Sequence, residues 1–304
     1  MTGGWRMNPD GALGEWRGGP MRRAKLSALC GAGLAGLLLL VTGCPPAARS
    51  IAPRDEHEAL ARVNDNLGAI DRPVQYQALV SFRFRDANGR DRRFLGHEAS
   101  LLYAPPQCLR FDIRSLAGVV AQFGSDGERY WIWIEPEVRK LWWGRWDRLG
   151  QPQTTRLIIA PDDLLDALML RPLSAPRAGG LSPVLRKEAD DHRLIYMRLG
   201  EDGEPSGLRE IRLDAREPYQ PREVIDRLSD GRVEMHAHLS GYARIGPDGP
   251  YVARKYVVYW PLDEAEMRLD VRRARFRPEL AAEVFAFPAE WEGEIEPIDA
   301  GELP

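Results

Sequence analysis

Only three cysteines, Cys30, Cys44 and Cys108, occur in this 304-residue chain. Cys30 falls in an N-terminal signal and Cys44 at its lipidation site, as argued below, so Cys108 is left without a partner and the fold must be held by its core alone. Histidine is nearly as scarce, with five residues. His236 and His238 share one face of a strand, but zinc chemistry would need a third ligand and an open position. His57, His97 and His192 lack ligand spacing, so the pair reads as solvated and no metal is expected. The chain has no Gly-x-Ser-x-Gly elbow, no His-Glu-x-x-His, no phosphate-binding glycine loop and no Cys-x-x-Cys. Nothing positive supports an enzyme, and neither catalytic residues nor a cofactor are expected. Asp162, Asp163 and Asp166 read as charge at a helix N-terminus rather than as an acid–base pair. No block of like charge marks a nucleic-acid surface.

Long apolar runs are also missing, except one. Leu26 to Val41 follows the basic stretch Met21-Arg22-Arg23-Ala24-Lys25 and ends in Val41-Thr42-Gly43-Cys44 before two prolines. A basic segment, an apolar run and small residues form an export signal. The run is short for a comfortable bilayer span, which weighs against the alternative of a membrane-spanning anchor. The terminal tetrapeptide resembles a bacterial lipobox, which implies cleavage before Cys44 and lipidation of Cys44. Residues 1–43 are then a lipoprotein signal peptide, with Met21 a second plausible start. Their loss takes five basic and two acidic side chains and moves the formal charge from −3 to −6. A mildly acidic surface leaves anchoring to the acyl chains, at about 0.8 kcal/mol per buried methylene. Residues 44–54, with three prolines, read as a tether reaching at most about 30 Å.

From Asp55, apolar residues at Leu60, Val63, Leu67 and Ile70 predict an amphipathic helix. Strands follow: Val74 to Phe84, an Asn88-Gly89 hairpin turn, Arg93 to Tyr103, and on through many glycine turns. Roughly ten to twelve strands are expected, enough that a twisted sheet must curl or close. The interruption, Pro161 to Leu170, predicts a short helix able to cap the open side. Arg171 to Gly180 and Gly200 to Gly207 read as flexible loops, and the acidic residues after Pro288 as a loose tail.

The apolar material is concentrated between Leu101 and Trp146, where five of the nine tryptophans lie between Trp131 and Trp146. Leu109, Phe111 and Ile113 alternate with Arg110, Asp112 and Arg114, giving a strand with one apolar face. Tyr130 to Ile134 is apolar on both faces and needs cover on both. Composition alone leaves core and ligand cavity open, because the two are lined alike. Tryptophan-rich strands also occur in carbohydrate-binding sandwiches.

Leu102 to Phe111 (LYAPPQCLRF), then Ser125-Asp126-Gly127, then Trp131 to Val138 (WIWIEPEV), and finally Ala282 to Pro288 as a closing strand, resemble the LolA/LolB-like family of periplasmic lipoprotein-sorting proteins. The resemblance covers most of residues 55–290. It implies a mainly antiparallel β fold with a few helices, an incomplete (half) β-barrel with a helical lid, followed by an acidic tail at 291–304. It also implies a carrier fold whose concave face holds acyl chains of lipoprotein or lipid. With the lipobox, the chain looks like the membrane-anchored LolB type, exported to the cell envelope and facing the periplasm from the outer membrane. A periplasmic carrier protein is then a natural partner, and a non-transport binding or sensor module on the same fold is the alternative. On this reading the cavity lining comprises Leu109, Phe111, Ile113, Val119, Phe123, Trp131, Trp133, Trp142, Leu165 and Leu168. Leu116 falls where the LolB type carries an exposed leucine for membrane transfer. Pro105 stands where soluble carriers place an arginine that holds the lid. Extra length lies around residues 172–225.

Overall fold

The computed structural model describes residues 52–299 except 86–88, 135–138, 150–158, 160, 174–182, 200–203, 279 and 289. The signal segment, Cys44, most of the tether, the Asn88 turn and the last residues of the chain lie outside the described residues.

The first element is α1 (Glu56–Gly68). Asp55 caps it, its carboxylate accepting from the Glu58 amide at 2.9 Å, with Glu56 and Glu58 in the first turn. Its buried stripe is Ala59, Val63 and Leu67, continued by Ile70, while Leu60 is only half-buried.

Six strands follow as a meander: β1 (Val74–Arg85), β2 (Asp91–Ala104), β3 (Cys108–Ser115), β4 (Gly118–Ser125), β5 (Arg129–Ile134) and β6 (Lys140–Arg145). The short helix α2 (Pro161–Ala167) comes next and ends where Met169 turns left-handed, φ 50°. A second meander runs through β7 (Val184–Lys187), β8 (Asp191–Leu199), β9 (Pro205–Asp214), β10 (Pro221–Leu228) and β11 (Val233–Ser240). The two-stranded ribbon β12 (Ala243–Arg244) and β13 (Tyr251–Val252) precedes β14 (Lys255–Trp260) and β15 (Ala265–Phe276), and β16 (Glu294–Pro297) closes the series.

Fourteen strands make one sheet in the order β16-β6-β5-β4-β3-β2-β1-β15-β14-β11-β10-β9-β8-β7. Sequential neighbours pair antiparallel, and β1 with β15 joins the two meanders, from Val74 opposite Phe276 to Arg83 opposite Glu266. Among the described strands, only β16 runs parallel to its neighbour, β6. Among the described residues the sheet has two free edges and is not closed: it is an open antiparallel half-barrel, helix-covered on one face.

Alternation decides which face that is. Along β1, Val74, Tyr76, Ala78, Val80, Phe82 and Phe84 are buried, as are their partners Tyr103, Leu101 and Ala99 on β2 and Val271, Leu269 and Met267 on β15. Together with α1 and α2 they form one continuous core.

Three expectations are corrected. The described chain forms sixteen strands, more than the ten to twelve expected, partly because the excess length carries β7–β9 and the excursion placed at Gly200 to Gly207 is already strand from Pro205. Ala282 to Phe285 is a helical turn rather than a closing strand. The tail expected to be loose is docked through Glu294–Pro297: Lys140 pairs with Glu294 and Glu296, Ile298 is fully buried, and the Asp299 carboxylate accepts from the Arg145 amide at 2.7 Å. Two isoleucines in a stretch of acids supply the apolar contact that a charge-dominated composition hid.

Candidate functional site

Seven of the ten lining candidates meet on the helix-covered face. Leu109, Phe111, Ile113 and Phe123 come from β3 and β4, Leu165 and Leu168 from α2 and its exit, and half-buried Trp142 packs beside them from β6. Phe111 and Phe123 are cross-strand partners with ring centroids 5.9 Å apart.

The other three do not join them. Trp131 and Trp133 form a second cluster with Leu141 and Trp143 on the opposite face, and Val119 packs against that cluster. The C-terminal segment covers it: Phe287 meets Trp131 edge-on at 5.4 Å, and Trp291 lies 5.2 Å from Trp133. Gln122 accepts from both indoles, at 3.0 Å from Trp131 and 3.3 Å from Trp133. Its amide donates to buried Asp112 at 2.7 Å, and Asp112 also takes Arg110 at 3.1 Å. Arg110 in turn donates to the Val284 carbonyl, tying this network to the covering segment. These tryptophans are therefore satisfied core, not lining: the residues before and after each face the other side, and it is Ile132 and Ile134 that point under the helices. Both faces of β5 are packed against protein, as the burial of five of its six residues shows.

Among the described residues the helix-covered face is filled as well. α2 inserts Leu164 and Leu165, with Leu168 and Leu170 just beyond, all essentially inaccessible. The void bordered there by Leu67, Leu168, Leu239 and Tyr256 measures only about 10 Å³. A larger cleft of about 610 Å³ lies among Gln107, Glu128, Arg145, Trp146, Asp147 and Arg171, and its mixed charges offer no wall for an acyl chain.

Polar contacts hold α2 in place. Asp166 bonds to Arg171 at 2.6 Å and to Arg209 on β9, and Arg209 also grips fully buried Asp226 on β10. Burial pushes the Asp166 pKa up, but Arg209 and Arg171 outweigh it and hold the carboxylate below its ordinary value. Asp162 and Asp163 are shifted the other way, first by burial and then by neighbouring carboxylates, Asp163 well above the usual range. On the far side of the exit, the Asn64 amide of α1 accepts from the Leu173 N–H at 2.8 Å and donates to its carbonyl at 2.9 Å. Asp166 is thus a clasp rather than helix-terminal charge. Of the clasp, the spacing of the α2 acids was visible in the sequence, whereas Arg209, Asp226 and Asn64 carried no signal.

Leu116 stands at the tip of the β3–β4 hairpin, fully exposed at 110%. Cys108 is a half-buried free thiol whose pKa burial and then Asp126 raise, which disfavours the reactive thiolate. No helix among the described residues is long and apolar enough to cross a membrane.

No family model and no curated protein matches this chain. Among solved structures, a LolA superfamily protein from Nitrosomonas europaea aligns at 13% identity over 77% of this chain and 98% of its own, with TM-score 0.47. A DUF1329 family protein from Desulfovibrio piger aligns at 12% identity over 78% and 100%, with TM-score 0.49.

Proposed function

We propose that this chain is an envelope lipoprotein, anchored through lipidated Cys44 and facing the periplasm from the outer membrane, whose half-barrel takes up acyl chains of lipoprotein or lipid without covalent chemistry. The observation that carries the reading is α2, a seven-residue helix that fills the apolar face with leucines yet is fastened there by a polar clasp. In this reading the structure is the closed, unloaded form, and α2 stands where the acyl chain will lie.

The magnitudes favour an exchange. Burying a C16 chain at about 0.8 kcal/mol per methylene gives on the order of 10 kcal/mol before association costs. Exposing four leucines at about 1.5–3 kcal/mol each costs roughly 6–12 kcal/mol. The two nearly balance, so cargo can enter and leave without an energy source. Arg171 and Arg209 on Asp166 then do the work of a lid-holding arginine at Pro105. Leu116 is the group that enters the membrane during delivery, and a periplasmic carrier protein is the donor of cargo.

The test is native mass spectrometry of the soluble chain, cut before Cys44, after incubation with diacylated lipopeptide vesicles. Lipid adducts are expected, more abundant in Asp166→Asn, and Leu116→Glu should load cargo but fail to release it to acceptor vesicles. Absence of adducts even with the clasp broken would overturn the reading. The filled interior favours a second one, a non-transport binding module on the same fold. A stable protein partner recovered free of lipid would select it.

A further inference from the structure

The face of the sheet turned away from the helices carries a group of side chains that the lipid reading does not use. On β11, Met235, Ala237 and Leu239 are buried in the core, which turns His236 and His238 to the opposite face. Their rings lie 4.1 Å apart, centroid to centroid. Sequence spacing offered no third donor, but register does: Glu223 on β10 is the direct cross-strand partner of His238. One carboxylate oxygen lies 3.6 Å from His236 Nε2 and the other 3.6 Å from His238 Nδ1.

These separations are too long for good hydrogen bonds and close to the spacing of donors around a shared cation. Ligands about 2.0–2.2 Å from a zinc ion in tetrahedral array stand a little over 3 Å from each other. His236 Nε2 is buried and makes no hydrogen bond within that limit among the described residues, its contact being the Glu223 carboxylate at 3.6 Å. A buried ring nitrogen held this far from its acceptor is poorly satisfied, and a metal between the two would satisfy both. All three candidate donor atoms fall within 4.8 Å of one another.

We infer that Glu223, His236 and His238 form a mononuclear site for a divalent transition metal of the zinc class, with at least one coordination position open to solvent. Two imidazoles and one carboxylate suit zinc-like ions better than magnesium or calcium, which prefer all-oxygen shells. The surroundings are compatible with such a site. Arg212 on β9 donates to Glu223 Oε1 at 3.1 Å, which orients the carboxylate and leaves Oε2 for the metal. Arg212 is itself neutralised by Asp191 at 3.0 Å, which reduces its repulsion of a cation. Tyr259 on β14, opposite His236, closes the far side with its ring edge-on to His238 at 6.2 Å.

Zn²⁺ is the probe, titrated into the full chain purified without a polyhistidine tag and followed by calorimetry, with Co²⁺ absorption reporting the donor set. One equivalent should bind. His236→Ala and His238→Ala should each weaken binding about a hundredfold, and Glu223→Gln at least tenfold, whereas His57→Ala should leave it unchanged. Because the donors lie on the solvent side, circular dichroism should show the fold intact. A readout without variants is carbethoxylation of histidines by diethyl pyrocarbonate, where Zn²⁺ should protect His236 and His238 and spare no other. Absence of stoichiometric binding, binding indifferent to these substitutions, or failure to protect the two histidines would each overturn the assignment.

Discussion

The side-chain amide of Asn64 reads the backbone of Leu173 in both directions, accepting from its N–H at 2.8 Å and donating to its carbonyl at 2.9 Å. One residue of α1 thereby fixes the chain as it leaves α2. The neighbouring Asn66 does the same to Tyr251 at the start of β13, accepting at 2.7 Å and donating at 2.9 Å. α1 is thus fastened by amide-to-backbone pairs at two separate places.

Replacing Asn64 with alanine removes both bonds to Leu173 and leaves its backbone groups partly unmet. A loss of about 1–3 kcal/mol is expected from denaturant unfolding. Hydrogen exchange should quicken at residues 168–173 first, ahead of the strands.

Arg209 joins Asp166 of the helix to Asp226 of the sheet. Substituting it by methionine keeps the apolar stem but strands fully buried Asp226 without its cation. Destabilisation of about 3 kcal/mol is expected. Asp226→Asn in the same background should recover part of it, a coupling that a double-mutant cycle measures.

Helix docking should weaken as pH rises. Asp163 holds its proton well above the ordinary value of 3.8, through burial and then Asp162, Asp226 and Glu234. The folded state therefore binds a proton that the unfolded state has released, and stability falls with rising pH from that value upward. Asp166, held low, opposes this only below the ordinary range. Protection of the Leu168 and Leu170 amides, corrected for intrinsic exchange, should be greater near about pH 5 than near about pH 7. Asp163→Asn should flatten the profile.

The Trp131 ring lies over Gly124, its cross-strand partner, so closely that a methyl group there would overlap the indole. Gly124→Ala should cost about 1–3 kcal/mol through displaced packing. Quenched or red-shifted tryptophan emission is the accompanying signature.

Much of the fold was legible because period-two alternation reports a strand with one wet face. Leu109, Phe111 and Ile113 against Arg110, Asp112 and Arg114 is such a case, and the helix stripe at Val63 and Leu67 another. Tyr130 to Ile134 gave no such cue. A strand apolar on both sides states that it needs two covers but not which side faces the helices, so Trp131 and Trp133 were placed with Phe111. Their cover, Phe287 and Trp291, sits some 150 residues away among acids with no period. The third donor beside His236 and His238 was hidden for a related reason: pairing Glu223 with His238 is a fact of strand register, which local spacing does not encode.

The seam between β1 and β15 sets a timing constraint on how the molecule is made. Residues 74–83 find their partners at residues 266–276, nearly two hundred positions later. A chain synthesised from its N-terminus can complete β1–β6 long before β15 exists. Until then the far side of β1 is a bare row of amides and carbonyls, open to any other extended segment. Such distant pairing is slow to form, and the interval before it is when the nascent sheet is most exposed to wrong partners.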